Sequence, residues 1–178
     1  MTWFKKILFR WVMWASEKFS SRPERDRIFK ALSSLLDCIV KLEKKKGPVL
    51  TFNCEADKFI IFSDQHKGAK NGADDFMLCE PNYIAALDYY YQHNYFFIAL
   101  GDCEEMWENT LSGVKKPINL PRKRKQFFLN KRGIRIFGHH DLHWQNEPLA
   151  TFQLKEIYDC NFPIYEGSLV QTMVEKNR

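Results

Sequence analysis

Residues 58–66 read Lys58-Phe59-Ile60-Ile61-Phe62-Ser63-Asp64-Gln65-His66. The aromatic and β-branched run 58–62 predicts a strand. It passes without a spacer into ligand-type side chains. The same arrangement recurs twice. The apolar run 95–100 leads to Gly101-Asp102-Cys103-Glu104-Glu105, and Ile134-Arg135-Ile136-Phe137 leads to Gly138-His139-His140-Asp141. Helices are predicted over 81–93, which opens on Pro81 in its first turn, and over 121–131. Strands alternating with helices specify an α/β domain. Ligands of open α/β sheets bind beyond the carboxyl ends of the strands. Three such ends, each carrying Asp or His, are therefore expected to converge on one edge.

Working outward, 49–53 predicts a further strand, joined to 58–62 by a short polar turn. A short helix is expected over 153–158, and Gly167-Ser168-Leu169-Val170 reads as the start of another strand. Upstream, 24–46 predicts a helix with Ile28, Leu32, Leu35, Leu36, Ile39 and Leu42 on one face, stopped by Gly47-Pro48. The first twenty residues predict an amphipathic helix, with Trp3, Phe4, Ile7, Leu8, Trp11, Val12, Trp14 and Phe19 at three- and four-residue steps. Lys6 and Arg10 interrupt that run, so it does not read as a secretion signal. Such a face either packs on the domain or lies on an anionic membrane surface. The expected organisation is a helical extension over 1–47 and an α/β domain over 48–178.

Composition bounds the function. Hydrophobic residues make up 45% of the 178, which excludes a disordered chain. No run of about 18 uncharged apolar residues is present, so no membrane span is expected. Five cysteines without a C-x-x-C pair argue against a disulfide framework or a cysteine zinc site, and for a reducing, cytoplasmic compartment. The net charge is +5, yet residues 109–140 carry nine bases and no acid; without those nine the chain is at −4. That segment, from Lys115 to Arg135, either guides an anionic substrate or is a solvated face. With Phe127 and Phe128 it would also make a nucleic-acid platform, although no nucleic-acid motif accompanies it.

Carboxylates with imidazoles form a donor set suited to Mn, Fe, Zn or Mg. Glycines at 101 and 138 let the backbone turn sharply before the next side chain. Cys103 reads as filler, because the neighbouring Asp102 charge would raise a thiol pKa. Trp107 and Trp144 each follow a motif closely, and Trp107 is expected to pack.

The order strand–D-x-H, strand–G-D-x-x-[DE], strand–G-N-H-[DE] resembles the calcineurin-like metallophosphoesterases, in a bacterial branch. The matches are Asp64-Gln65-His66, Gly101-Asp102-Cys103-Glu104-Glu105 and Gly138-His139-His140-Asp141, and they cover about half the chain, 58–144. The resemblance implies a β-sandwich flanked by helices and a dinuclear metal centre hydrolysing a phosphate ester, of a small molecule or a lipid-linked compound. Asp64 and His66 would bind the first metal ion, Asp102 would bridge two divalent ions, and His139 would bind the second. His140 would stabilise or protonate the leaving oxygen, with Asp141 orienting it. Glu105 would support the ligands rather than join them. Two positions depart from the pattern. The family's Asn is His139, and no histidine follows His143 to match the later G-H-x-H pair. The chain therefore reads as the N-terminal part of such an enzyme. The alternatives are a non-catalytic remnant or a basic module binding nucleic acid or anionic membrane.

Overall fold

The structure is a computed structural model and describes residues 3–19, 24–41, 46–71, 74–115 and 119–173. It separates into two compact units, Met1–Leu36 and Asp37–Arg178. The expected boundary lay at 47/48; the units divide inside the second helix.

The first unit holds α1 (Trp3–Phe19) and most of α2 (Arg25–Val40). Both form where the three- and four-residue apolar spacing predicts them. The expected end of α2 at residue 46 is not seen; the helix closes at Val40, and 42–45 lie outside the described residues.

The second unit is α/β. Its strands are β1 (Val49–Asn53), β2 (Phe59–Ser63), β3 (Phe96–Leu100), β4 (Gly133–Ile136), β5 (Ile164–Tyr165) and β6 (Leu169–Met173). Strands β2-β3-β4-β5 form one all-parallel sheet in that order, and β1 pairs with β6 in a second, also parallel. The helices are α3 (Glu80–Gln92), α4 (Leu111–Val114), α5 (Asn119–Leu129), α6 (His143–Asn146) and α7 (Ala150–Tyr158). A 3-10 turn, Asp75–Leu78, precedes α3 and is capped by the Asp74 carboxylate, which accepts from Met77 N.

Strand β3 shows why the sheet holds. Phe97 and Ala99 point into one core with Leu87 of α3, Phe127 and Phe128 of α5, and Leu154 and Tyr158 of α7. Ile98 points to the other face and packs with Ile134 and Ile136 of β4. Both faces of this strand are buried, which is why its sequence is apolar without alternation. The small sheet supplies cover on the second face. Phe52 of β1 lies 5.2 Å from the ring of Phe59 and 5.5 Å from that of Phe96, and Leu50 packs on the isoleucine cluster. Strands β1 and β2, neighbours in sequence, thus belong to different sheets.

The basic segment is largely paired within the fold. Lys115 meets Glu156, Lys123 meets Asp88 at 2.6 Å, and Lys125 meets Asp159. Arg132 donates to Asn94 Oδ1 at 3.0 Å, and Arg124 and Arg135 are buried. Phe127 and Phe128 are core residues, not a stacking surface. Of the nine bases, Lys115, Lys123, Arg124, Lys125 and Arg135 thus meet acids elsewhere in the chain.

Candidate metal centre

Parallel pairing brings the carboxyl ends of β2, β3 and β4 side by side, and the loops beyond them remain stitched together. Gly101 N donates to Ile136 O at 2.9 Å, His66 N to Asp102 O at 2.9 Å, and Glu105 N to Lys67 O at 3.0 Å. Met106 N reaches His140 O at 3.3 Å. The three sequence clusters therefore share one edge.

The backbone there is strained. Asp64, His66 and Asp102 adopt φ of 51°, 45° and 47°, in the left-handed region. Such a conformation costs of order 1–3 kcal/mol in a non-glycine residue and collects at functional sites. Gly101, at φ 68°, adopts it freely and starts the turn that delivers Asp102.

Asp64, His66 and Asp102 each offer a ligand atom within 4.8 Å of the others. Nε2 of His66 lies 4.0 Å from Asp64 Oδ1, while its Nδ1 meets Glu105 Oε2 at 2.9 Å. A carboxylate on one ring nitrogen fixes the tautomer and presents the other nitrogen as a metal ligand. His66, Glu105 and His140 form a second cluster of this kind. Nδ1 of His140 lies 2.5 Å from the same Oε2, a close contact without hydrogen-bond alignment. Glu105 is nearly buried. Burial alone would raise its pKa, but His140, His66 and the Trp107 N–H, which donates at 3.0 Å, outweigh it and hold the carboxyl down to about 2.

Asp102 is used three ways. Its carbonyl accepts from His66 N, its Oδ1 accepts from His140 N at 2.8 Å, and its Oδ2 faces His139 Nδ1 at 3.0 Å. His139, two-thirds exposed, is joined to the centre through that contact with Asp102. Asp64 is 70% exposed and makes no hydrogen bond among the described residues, so its carboxylate is free to bind a ligand.

Two expectations are corrected. Asp141 does not orient His140. It is fully buried, accepts from Gly138 N and Cys103 N, and takes Arg135 Nη2 at 2.7 Å. Those donors engage both its oxygens, and Glu105 faces the imidazole instead. Trp107 does not pack beneath the site. It is 67% exposed and stacks on His140 at 4.0 Å and 24°. Trp144 is the buried one, and its indole N–H donates to Glu104 Oε2 at 3.2 Å. Cys103 is inert by position: burial pushes its thiol up to about 11.

Sequence reasoning missed the support under the site. Glu104, wholly buried, is met by Arg135, by the Tyr158 hydroxyl, by Trp144 and, at 3.7 Å, by Arg124. Burial opposes its charge, yet Arg135, Lys67 and Arg124 hold its pKa down to about 2. The available signal was Arg135 between Ile134 and Ile136: a charge inside a buried strand requires a buried partner.

No family model matches the chain, and neither a curated protein nor a solved structure matches it.

Proposed function

We propose that this chain is a metal-dependent phosphoesterase domain of calcineurin-like type, with the two facing sheets as its sandwich. The observation that carries the reading is the convergence of Asp64, His66 and Asp102 from two adjacent strand ends, on strained backbone, with Glu105 holding the far nitrogen of His66. Two carboxylates and one imidazole fit a hard or borderline divalent ion such as Mn²⁺ or Zn²⁺. Asp64, His66 and Asp102 would hold one ion, and Asp102 with His139 a second. Bound there, such ions supply positive charge to phosphoryl oxygens and lower the pKa of a water. His140, held on its Nδ1 side by Glu105 and stacked on Trp107, keeps Nε2 to donate a proton to the leaving oxygen. Trp107 walls the site and restricts the orientation of that ring.

The test is metal stoichiometry of the folded, desalted chain after loading with Mn²⁺, with hydrolysis of bis-p-nitrophenyl phosphate as the activity readout. Asp64→Ala is the cleanest variant, because that carboxylate supports nothing else. It should lower Mn²⁺ affinity at least tenfold and shift the unfolding midpoint only slightly, Ala being less favoured than Asp at φ 51°. A folded wild-type chain that binds no Mn²⁺, or an Asp64→Ala chain that binds it as well as wild type, overturns the reading. One ion without turnover supports the Asp64–His66–Asp102 site and removes the hydrolytic claim.

A further inference from the structure

Helix α1 carries an apolar face that the centre does not explain. At the helical repeat, Trp3, Trp14, Ile7, Trp11, Leu8 and Val12 fall on one half of the circumference. Five of these six are exposed, from 49% at Trp14 to 78% at Trp3, and Ile7 is half-buried. Lys5 and Arg10 flank it on either border, and the helix sequence, with Lys6, Lys18 and Glu17, carries a net +3.

We infer that α1 is an interfacial helix that lies on an anionic lipid bilayer. The first argument is chemical. The apolar residues of α2, Ile28, Leu32 and Leu36, are aliphatic and carry no polar group. Three tryptophans on one face instead suit the headgroup boundary, where an apolar ring with a polar N–H is at home. The second is electrostatic. Helix α2 sets Arg25, Arg27 and Lys30 against Asp26 and Asp37, whereas α1 has four bases against one acid. Its charge complements phosphate or carboxylate headgroups, each Lys or Arg near the surface contributing attraction. The third is conformational. Lys18 Nζ sits 5.0 Å from the Trp14 ring and 5.9 Å from that of Phe19. The ammonium therefore sits over the aromatic cluster as a cation–π contact, at the C-terminal end of the face. Trp11 and Trp14 pack edge to face at 5.7 Å, so the cluster is formed before contact with lipid. Among the described residues no helix is long and apolar enough to cross a membrane. The helix, about 25 Å long at the α-helical rise, lies in the plane of the interface.

The experiment uses the full chain with vesicles of phosphatidylglycerol mixed with phosphatidylcholine, against phosphatidylcholine alone. Binding to the anionic vesicles is expected with a blue shift of tryptophan emission, weaker binding to the neutral ones, and weakening with salt. Lys5→Gln with Arg10→Gln should weaken binding about twenty-five-fold, from roughly fivefold per basic residue. Replacing Trp3, Trp11 and Trp14 by Ala should abolish it. Absence of binding to anionic vesicles by the folded chain overturns the inference. So does equal binding to neutral vesicles, or no effect of the charge pair. If the tryptophan variant fails to fold, the charge pair alone decides. An oligomer that dissociates on tryptophan replacement, with no vesicle binding, assigns the face to protein and also overturns it.

Discussion

Gly138→Ala probes how closely the site is packed. A Cβ at position 138 would lie 2.2 Å from Asp102 Oδ1, 2.5 Å from its Cγ and 2.6 Å from its backbone nitrogen, where real Cβ atoms keep at least 3.0 Å. Rotating the carboxylate away cannot relieve the contact with the nitrogen, so the loops after β3 and β4 must part by about half an ångström. Two costs follow. Overpacking a tight contact costs about 1–3 kcal/mol. Moving Asp102 also weakens the 2.8 Å bond from His140 N, a hydrogen bond to a charged group worth about 1.5–3 kcal/mol. The expected loss of unfolding free energy is about 2–5 kcal/mol, read from the urea midpoint. Mn²⁺ affinity should fall about 10–100-fold, as for other changes to groups that support a ligand. Gly113→Ala is the control. It sits in α4, where its Cβ would meet the Ala69 methyl at 3.0 Å, and alanine's helix propensity offsets the tight contact. If Gly138→Ala matches wild type in both midpoint and Mn²⁺ affinity, the position of Asp102 does not hold the centre, and the reasoning fails.

Two further outcomes follow from the buried groups. Glu104→Gln should cost about 3–5 kcal/mol by chemical denaturation, because it leaves Arg135 with Asp141 as its remaining close acid and takes from buried Arg124 its carboxylate partner; a loss below about 1 kcal/mol would mean the lattice is not structural. Burial, opposed by Arg124, pushes the Tyr83 phenol up to about 12 from 10.0. The unfolded chain then releases this proton first as pH rises. Stability from this group is intact below about pH 10 and falls by about 3 kcal/mol between pH 10 and 12. Tyr83→Phe should remove that part of the alkaline loss, measured as the unfolding midpoint against pH.

The parts of this fold that could be read from sequence are those whose signal is local. Strand β3 announced itself because both of its faces are buried, and α3 because Pro81 fits a first helical turn. The three polar clusters were legible because each follows its strand directly. The pairing of β1 with β6 was not. Val49 opposes Leu169, 120 positions later, and no periodicity within either strand names its partner. Helices α4 and α6, four residues each, and β5, two residues, are too short to show a repeat. The site divides along the same line. Asp64, His66, Asp102, His139 and His140 were nameable by type and position. Which acid faces His140 was not, since Asp141 follows it in sequence while Glu105 comes from another strand and prevails by geometry. The lattice of Glu104, Arg124, Arg135 and Tyr158 joins β3, α5, β4 and α7, and only the closed fold reveals it.

That lattice bears on why the centre can be strained at all. Three left-handed non-glycine residues cost a few kcal/mol together, and the contacts of Asp64 and His66 offset little of it. Asp64 is exposed and unbonded, and His66 is tied only through Glu105 and one backbone bond. The compensation comes from one layer below. Arg135 joins Glu104 of the second cluster to Asp141 of the third, and Asp141 in turn accepts the backbone N–H groups of Cys103 and Gly138. Arg124, through Gln65, ties in the first cluster. The loops are thus fixed by buried charge on their inner side, which leaves the outer carboxylates and imidazoles free of structural duty. Asp102 is the exception, because it both offers a ligand atom and bonds His66 and His140. A loss of metal binding in Asp102→Ala would therefore confound coordination with geometry. The same loss in Asp64→Ala, at nearly unchanged stability, reports coordination alone.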